Sequence, residues 1–402
     1  MNAATFLAEA HARVLVVDAE ADHRVLLELL LRRMGAAEVA VAESVADAWL
    51  ALDTQPARFD AVLLAMGWPG TVELDGCRRI SDDSRFVDLP VIVMAAQSDG
   101  RAMHAAFAAG AADYLRKPID SAEFAVRVSA AVHLKVEIGA RKARERELAS
   151  AMAVLRADLD AAAALERSLL PAEGDIAPGV RIAHCFQPSL ELGGDIFNVI
   201  ALPDGRVVAY LLDVVGHGVA AALTAVAVHR MLVAGADGGM LCDAQGLPRA
   251  PGDIAAILNR RFRMEGDSLT YLSFTAALLD PVAREGWVTQ AGHPPLVVAD
   301  GDDVRTHDAG DLPIGMFEDA RYESHPIALR SGTRLVFYSD GVTEAASPSG
   351  ELFGIARLRD AVRGAQGEPL AALVAAVLAA ARAHRGQPTF ADDFALLAVE
   401  FA

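Results

Sequence analysis

From Leu134 to Leu170 the chain carries no proline and a single glycine, and is rich in Ala, Arg, Glu and Leu. A stretch that long without a breaker is expected to be helical, and a lone helix buries no core. The residues on either side must therefore fold separately. The spacing predicts a first domain at 10–133, a helical linker at 134–170 and a larger domain at 171–402. Within the linker, Leu148, Met152, Leu155, Leu159, Ala162 and Leu169 fall on alternating four- and three-residue steps, the a/d spacing of a coiled coil. Glu166 breaks that register, with Leu165 able to take its place, and Arg141 and Glu145 interrupt it upstream. A parallel homodimer is the favoured reading; a helix packed on its own chain is the other.

Before the linker, apolar runs alternate with helical periods. Arg13 to Asp18, Glu38 to Val41, Ala61 to Ala65, Val91 to Ala95 and Asp113 to Leu115 read as strands, and His23 to Met34 is one of the intervening helices. Five such units imply an α/β doubly wound, flavodoxin-like domain of five parallel strands, with any site at the carboxyl ends of the strands.

After the linker the pattern changes. Arg181 to Ser189, Arg206 to Asp213, Tyr271 to Asp280, Gly286 to His293, Arg334 to Asp340 and Phe394 to Phe401 read as strands joined by Gly- and Pro-bearing turns, with helices after Gly216, Pro251 and Pro369. That order predicts an α+β domain, an α-β-β-α sandwich.

Four aspartates of this second domain sit beside glycines or a second aspartate at the edges of apolar runs: Asp195 in ELGGD, Asp213 in LLDVVGHG, Asp340 in FYSDG and Asp392 in ADDFALLAV. Taken singly, each has a plain explanation, since Asp-Gly marks turns and Asp caps helices and loops. Taken together they read as one site. Clustered carboxylates repel unless a cation sits among them, and carboxylate oxygens suit Mg²⁺ or Mn²⁺; two ions sharing carboxylates lie about 3.5–4 Å apart.

The ordered motifs LLP at Leu169 to Pro171, LGGDIFNV, LDVVGHGVAAAL, ILNRRF, AGHPP, LPIGMF, LVFYSDGVTEA, ELFG and DDFALLAV resemble the SpoIIE branch of the metal-dependent, type 2C-like (PPM) protein phosphatases. The resemblance covers about residues 170–402. It implies a Mn²⁺- or Mg²⁺-dependent serine/threonine phosphatase with two ions, in which Asp213 bridges both ions. The backbone carbonyl of Val214 and the carboxylate of Asp195 complete one ion, and Asp340 and Asp392 hold the other. It also implies hydrolysis by cation-activated water without a covalent enzyme intermediate. The substrate it implies is a phosphorylated anti-sigma-factor antagonist supplied in trans, with the helix before LLP acting as a lever. Gly194 and Gly216 suit backbone lying close to a metal. His217 and His293 are expected to orient loops rather than to act as acids or ligands. Asp393 either supports the site or caps the next strand. Three departures are Asn198, where the family has a second Asp, Val215 before Gly-His-Gly, and Ala395 in place of Thr; none removes a predicted ligand.

The first segment is similar to a response-regulator receiver through RKP at Arg116 to Pro118. A working receiver needs an acidic pair, an Asp acceptor, a Ser or Thr and a Lys. This chain keeps Asp18 and Lys117, with Ala19, Ala65 and Ala95 at the other positions. Asp60 begins the third strand, at the wrong edge of the sheet, and Glu20 could replace Ala19 as a ligand but not restore an acceptor. Asp75, placed in a loop after Pro69-Gly70, is the alternative, an unusual acceptor. The segment is thus read as a pseudo-receiver that docks a regulatory protein or dimerises.

Lys plus Arg is 36 against 54 for Asp plus Glu, a net charge of −18, which argues against nucleic-acid backbone binding. No basic helix-turn-helix supports a transcriptional role. Cys77, Cys185 and Cys242 are scattered, giving neither a zinc site nor a disulfide framework. The N-terminus lacks a signal-peptide pattern, and the longest uncharged apolar run, Leu370 to Ala381, is too short for a bilayer. A cytoplasmic enzyme without membrane contact is expected; a catalytically silent adaptor that binds partners through both domains is the competing reading.

Overall fold

The computed structural model describes residues 7–67, 71–96, 100–233, 239–262 and 271–402, in two compact units, Met1–Ala153 and Val154–Ala402. The first unit runs β1 (Arg13–Val17), α1 (Ala21–Arg33), β2 (Glu38–Ala42), α2 (Val45–Thr54), β3 (Ala61–Met66), α3 (Thr71–Asp82), β4 (Val91–Ala95), α4 (Gly100–Ala108) and β5 (Asp113–Arg116). Its strands form a parallel sheet in the order β2-β1-β3-β4-β5. Leu15, Val17, Val62, Leu64, Val91 and Val93 pack into one core, and Val14, Val16, Leu63, Ile92 and Met94 into another. Helices cover both faces, so these strands read as unbroken apolar runs rather than alternating ones.

Asp60 precedes β3 and accepts the Arg13 backbone N–H at 2.8 Å. Arg13 opens β1, so Asp60 lies at the amino edge of the sheet, opposite the carboxyl ends where a receiver site would be. Asp75 is not in a loop: it lies within α3, exposed, beside Arg78 at 3.2 Å. Asp75-Gly76 reads as a turn, but Gly76 serves packing, because a Cβ there would collide with the Val45 side chain. Pro69 and Gly70 lie outside the described residues.

Helix α5 (Ser121–Ser168) is continuous. The Asp120 carboxylate accepts the N–H groups of Ala122 and Glu123 at 2.9 and 2.8 Å, satisfying two donors that the first turn leaves unpaired. Leu148, Met152 and Leu155 are exposed, whereas Leu159, Ala162 and Ala163 pack against Leu192 and Ala222 of the second unit, to which all five belong. At the end of the helix the expected register is inverted: Leu165 is exposed and Glu166 is buried.

The second unit contains β6 (Gly174–Ala177), β7 (Val180–Gln187), β8 (Asp195–Ala201), β9 (Val207–Val214), α6 (Val219–Val233), α7 (Pro251–Arg261), β10 (Leu272–Asp280), β11 (Glu285–Ala291), β12 (Leu296–Asp300) and β13 (Asp303–His307). β14 (Gly310–Asp311), β15 (His325–Ala328), β16 (Arg334–Tyr338), α8 (Asp340–Thr343), α9 (Gly354–Gly364), α10 (Leu370–Arg385) and β17 (Phe394–Phe401) follow. One sheet has the order β14-β11-β10-β9-β8 with β15 on β11, and the other β13-β12-β16-β17-β7-β6.

Side chains alternate across each strand. On β9, Val208, Tyr210 and Leu212 face the core beneath α6 and α7, while Val207, Ala209 and Leu211 face the other sheet. On β17, Phe394, Leu396 and Ala398 face α9 and α10, while Ala395, Leu397 and Val399 face inward. The result is the α-β-β-α sandwich. Phe197 and Phe337 lie between the sheets, fully buried, each contributing about 1.5–3 kcal/mol by burial.

Candidate metal centre at one end of the sandwich

The same alternation explains why remote aspartates meet. Asp195 stands two residues before Phe197, Asp213 two after Leu211, Ser339 two after Phe337 and Asp393 two before Ala395, and all four reference residues face the space between the sheets. A step of two keeps a side chain on the same face, so these four point to the inter-sheet space. Asp195 opens β8, Asp213 lies near the end of β9, Ser339 follows β16 and Asp393 precedes β17. Because the strands are antiparallel, those termini lie at one end of the sandwich. Asp195 and Asp213 are register partners across β8 and β9.

Asp195 is buried and its Oδ2 has no hydrogen-bond partner. Burial, then the charge of Asp213, raises its pKa well above the usual carboxylate range. Asp213 is pushed up to about 7 by burial and by Asp340, Asp392 and Asp393. Asp340, at the first position of α8, is pushed up to about 6 by burial and then Asp392. Asp392 is exposed at the rim. Among the described residues, no Lys or Arg forms an ion pair with any of these four. Their oxygens are spread rather than tightly gathered: the one described trio with ligand atoms all within 4.8 Å is Asp18, Glu20 and His23 of the first unit.

The donor set fits hard divalent cations, which take carboxylate and carbonyl oxygen. The buried, unpartnered Asp195 oxygen is a ligand atom left without another use. A Cβ on Gly194 would come within 2.8 Å of the Val214 carbonyl oxygen, so only glycine lets β8 approach that carbonyl. Gly216 and Gly218 have φ of +98° and +77°, a left-handed conformation that favours glycine and turns the chain from β9 into α6.

Two residues proved more central than their sequence setting implied. Asp393 is buried and accepts the Ser189 N–H at 2.7 Å, the Ser189 hydroxyl at 3.0 Å and the Gly194 N–H at 2.6 Å. It therefore ties the ELGGD loop to the start of β17. Ser339 Oγ donates to the Asp393 carbonyl at 2.9 Å and accepts the Ala395 N–H at 3.0 Å, joining the β16 and β17 ends.

His293 is buried, with Nδ1 2.6 Å from the Ser273 hydroxyl, and Ser273 is the register partner of Asp213 on β10. Burial lowers its pKa to about 3, so it is neutral at physiological pH. His217 is exposed. Asn198 points away from the inter-sheet space; its amide lies 3.5 Å from the Leu169 carbonyl. Val215 is exposed and Ala395 is buried between the sheets.

In the first unit, Lys117 Nζ lies 2.8 Å from Asp18 Oδ2 and 3.0 Å from His23 Nδ1. Ala65 and Ala95 occupy the ends of β3 and β4.

Comparison with known proteins agrees with this division. The profile of the response regulator receiver domain matches residues 14–129, and that of stage II sporulation protein E (SpoIIE) matches residues 203–402. The chain is 29% identical over 171 residues to the phosphoserine phosphatase RsbP of Bacillus subtilis (strain 168), covering 41% of this chain and 40% of that protein. It is 32% identical over 108 residues to the chemotaxis protein CheY1 of Helicobacter pylori (strain ATCC 700392 / 26695), covering 26% of this chain and 85% of that one. The chain thus spans only about two fifths of RsbP's length. The solved SiaA-PP2C domain of Pseudomonas aeruginosa superposes with a TM-score of 0.55 at 23% identity, covering 63% of this chain and all of that one, a likeness of fold. The chain joins a receiver domain of the response-regulator family to a phosphatase-type domain of the SpoIIE family.

Proposed function

We propose that the chain is a serine/threonine phosphoprotein phosphatase that requires two divalent cations, Mn²⁺ or Mg²⁺, and acts in bacterial signalling. The observation that carries this reading is the buried Asp195 oxygen without a partner, near the charges of Asp213 and Asp340, with no Lys or Arg paired to them among the described residues. In this reading Asp195, Asp213, Asp340 and Asp392, with the Val214 carbonyl, would hold the ions. When bound, such ions activate water as a nucleophile and neutralise phosphoryl oxygens.

The chain's own residues supply the positioning. Asp393 fixes the loop that presents Asp195. Ser339 ties together the strand ends that carry Asp340 and Asp392. Neutral His293 holds Ser273 beside Asp213 and is not an imidazolium acid near pH 7. No side chain need attack phosphorus.

The likeness to RsbP, named a phosphoserine phosphatase, supports a phosphoserine protein as substrate, and a phosphorylated anti-sigma-factor antagonist supplied in trans fits that class. Ala65 leaves the receiver domain without an acceptor, and Lys117 already neutralises Asp18. Regulation then comes from a protein docked on this domain, not from phosphoryl transfer to it. The exposed Leu148, Met152 and Leu155 fit a parallel coiled-coil homodimer. Among the described residues no helix is long and apolar enough to cross a membrane, in keeping with action in the cytoplasm.

The test is Mn²⁺-dependent hydrolysis of a phosphoserine protein by the full chain and by Asp340→Ala. Loss of activity in the variant supports the enzyme. Equal rates would favour the silent adaptor.

A further inference from the structure

Glu166 has a setting unlike any other acid of α5. The helix also carries Glu123, Glu137, Glu145, Glu147, Asp158 and Asp160, all exposed, whereas Glu166 is 3% exposed. It lies on the inward face, three and four residues beyond Ala163 and Ala162, which pack on Leu192 and Ala222. Its Oε1 accepts the Gly193 N–H at 3.3 Å, and its Oε2 is buried with no partner.

Burying a carboxyl without a cation is costly, and an apolar side chain would fill that slot more cheaply. Packing therefore does not explain the residue. What the position offers is a backbone donor in a tight loop. The next amide, that of Gly194, is held by Asp393 at 2.6 Å. Two consecutive N–H groups are thus gripped by two carboxyls, one from the helix and one from the residue before β17, and Asp195 follows directly. Burial, with the charge of Asp393 adding to it, pushes the Glu166 carboxyl up to about 7, in keeping with a group held for its oxygen rather than for its charge.

We propose that Glu166 is a positioning residue for cation binding: from the end of α5 it fixes the Gly193-Gly194 backbone, and through it the direction of the Asp195 carboxylate. This rests on the cation-dependent reading above. It also specifies how a displacement of the helix end reaches the site, by release of the Gly193 amide.

The test compares the full chain with Glu166→Met, which keeps bulk and helix propensity but offers no oxygen, and Glu166→Gln, which keeps an acceptor. Two readouts are used: hydrogen exchange of the segment 187–196 in chelator-treated protein, and Mn²⁺ affinity by calorimetry. Met is expected to speed exchange there and to weaken Mn²⁺ binding about 10- to 100-fold, the usual cost of losing a residue that orients a ligand. Gln should stay close to wild type in both. Unchanged exchange and affinity in Met, or a loss in Gln as large as in Met, would overturn the assignment. Failure of the wild type to bind Mn²⁺ would sink the cation reading instead, and the exchange arm would still decide the role of Glu166.

Discussion

Both units gather acidic side chains at strand ends, yet the two clusters are balanced differently. In the receiver domain Asp18 faces Lys117 at 2.8 Å, and the acceptor position is Ala65. In the phosphatase-type domain Asp195, Asp213 and Asp340 repel one another without a basic partner among the described residues, and their pKa values rise. A carboxylate answered by a lysine is at rest. Carboxylates left in mutual repulsion store a free energy that a cation would release. The contrast is one of charge balance: the first cluster holds its own counter-charge, and the second does not among the described residues.

The sharpest way to break that contrast is Asp213→Asn. It removes the shared carboxylate and should lower Mn²⁺-dependent hydrolysis by more than about 100-fold, with circular dichroism checking that the fold survives. Residual activity near wild type would mean the cluster is not the reaction centre.

Next is the pH dependence of the metal-free protein. Carboxyls whose folded pKa is raised stabilise the fold while protonated; that contribution is full below the unfolded value and is lost as pH rises through about 6 for Asp340 and about 7 for Asp213. Thermal unfolding in a chelator should thus show Tm falling as pH rises from about 4 to about 7, and Mn²⁺, which competes with the protons, should reverse the slope. A flat profile would mean the carboxylates are not close.

Asp393→Ala should cost less. It orphans the Ser189 and Gly194 N–H groups, each at about 1–3 kcal/mol, and should weaken Mn²⁺ binding about 10-fold, measured by calorimetry. The smallest expected effect is none at all: incubation with a small phosphodonor should leave no acid-labile label on the receiver domain. Label there would show that this domain carries a phosphoacceptor despite Ala65.

Much of this architecture was legible before any coordinates. Parallel strands covered on both sides announce themselves as apolar runs, and the glycines beside Asp195 and Asp340 mark where backbone must come close. Asp75 misled because Asp-Gly signals a turn, whereas Gly76 is there to let α3 approach Val45. Glu166 read as a flaw in a heptad and Asp393 as an ambiguous neighbour of Asp392. Both act by accepting backbone N–H groups from a loop remote in sequence, and such contacts leave no periodicity to detect.

The central claim is that Asp195, Asp213, Asp340 and Asp392 together bind paired cations. Anomalous scattering from crystals soaked in Mn²⁺ tests it most directly. The account predicts two peaks about 3.5–4 Å apart among those four carboxylates, with Asp213 touching both. A site that stays empty at saturating Mn²⁺, or ions bound at Asp18 alone, would contradict it.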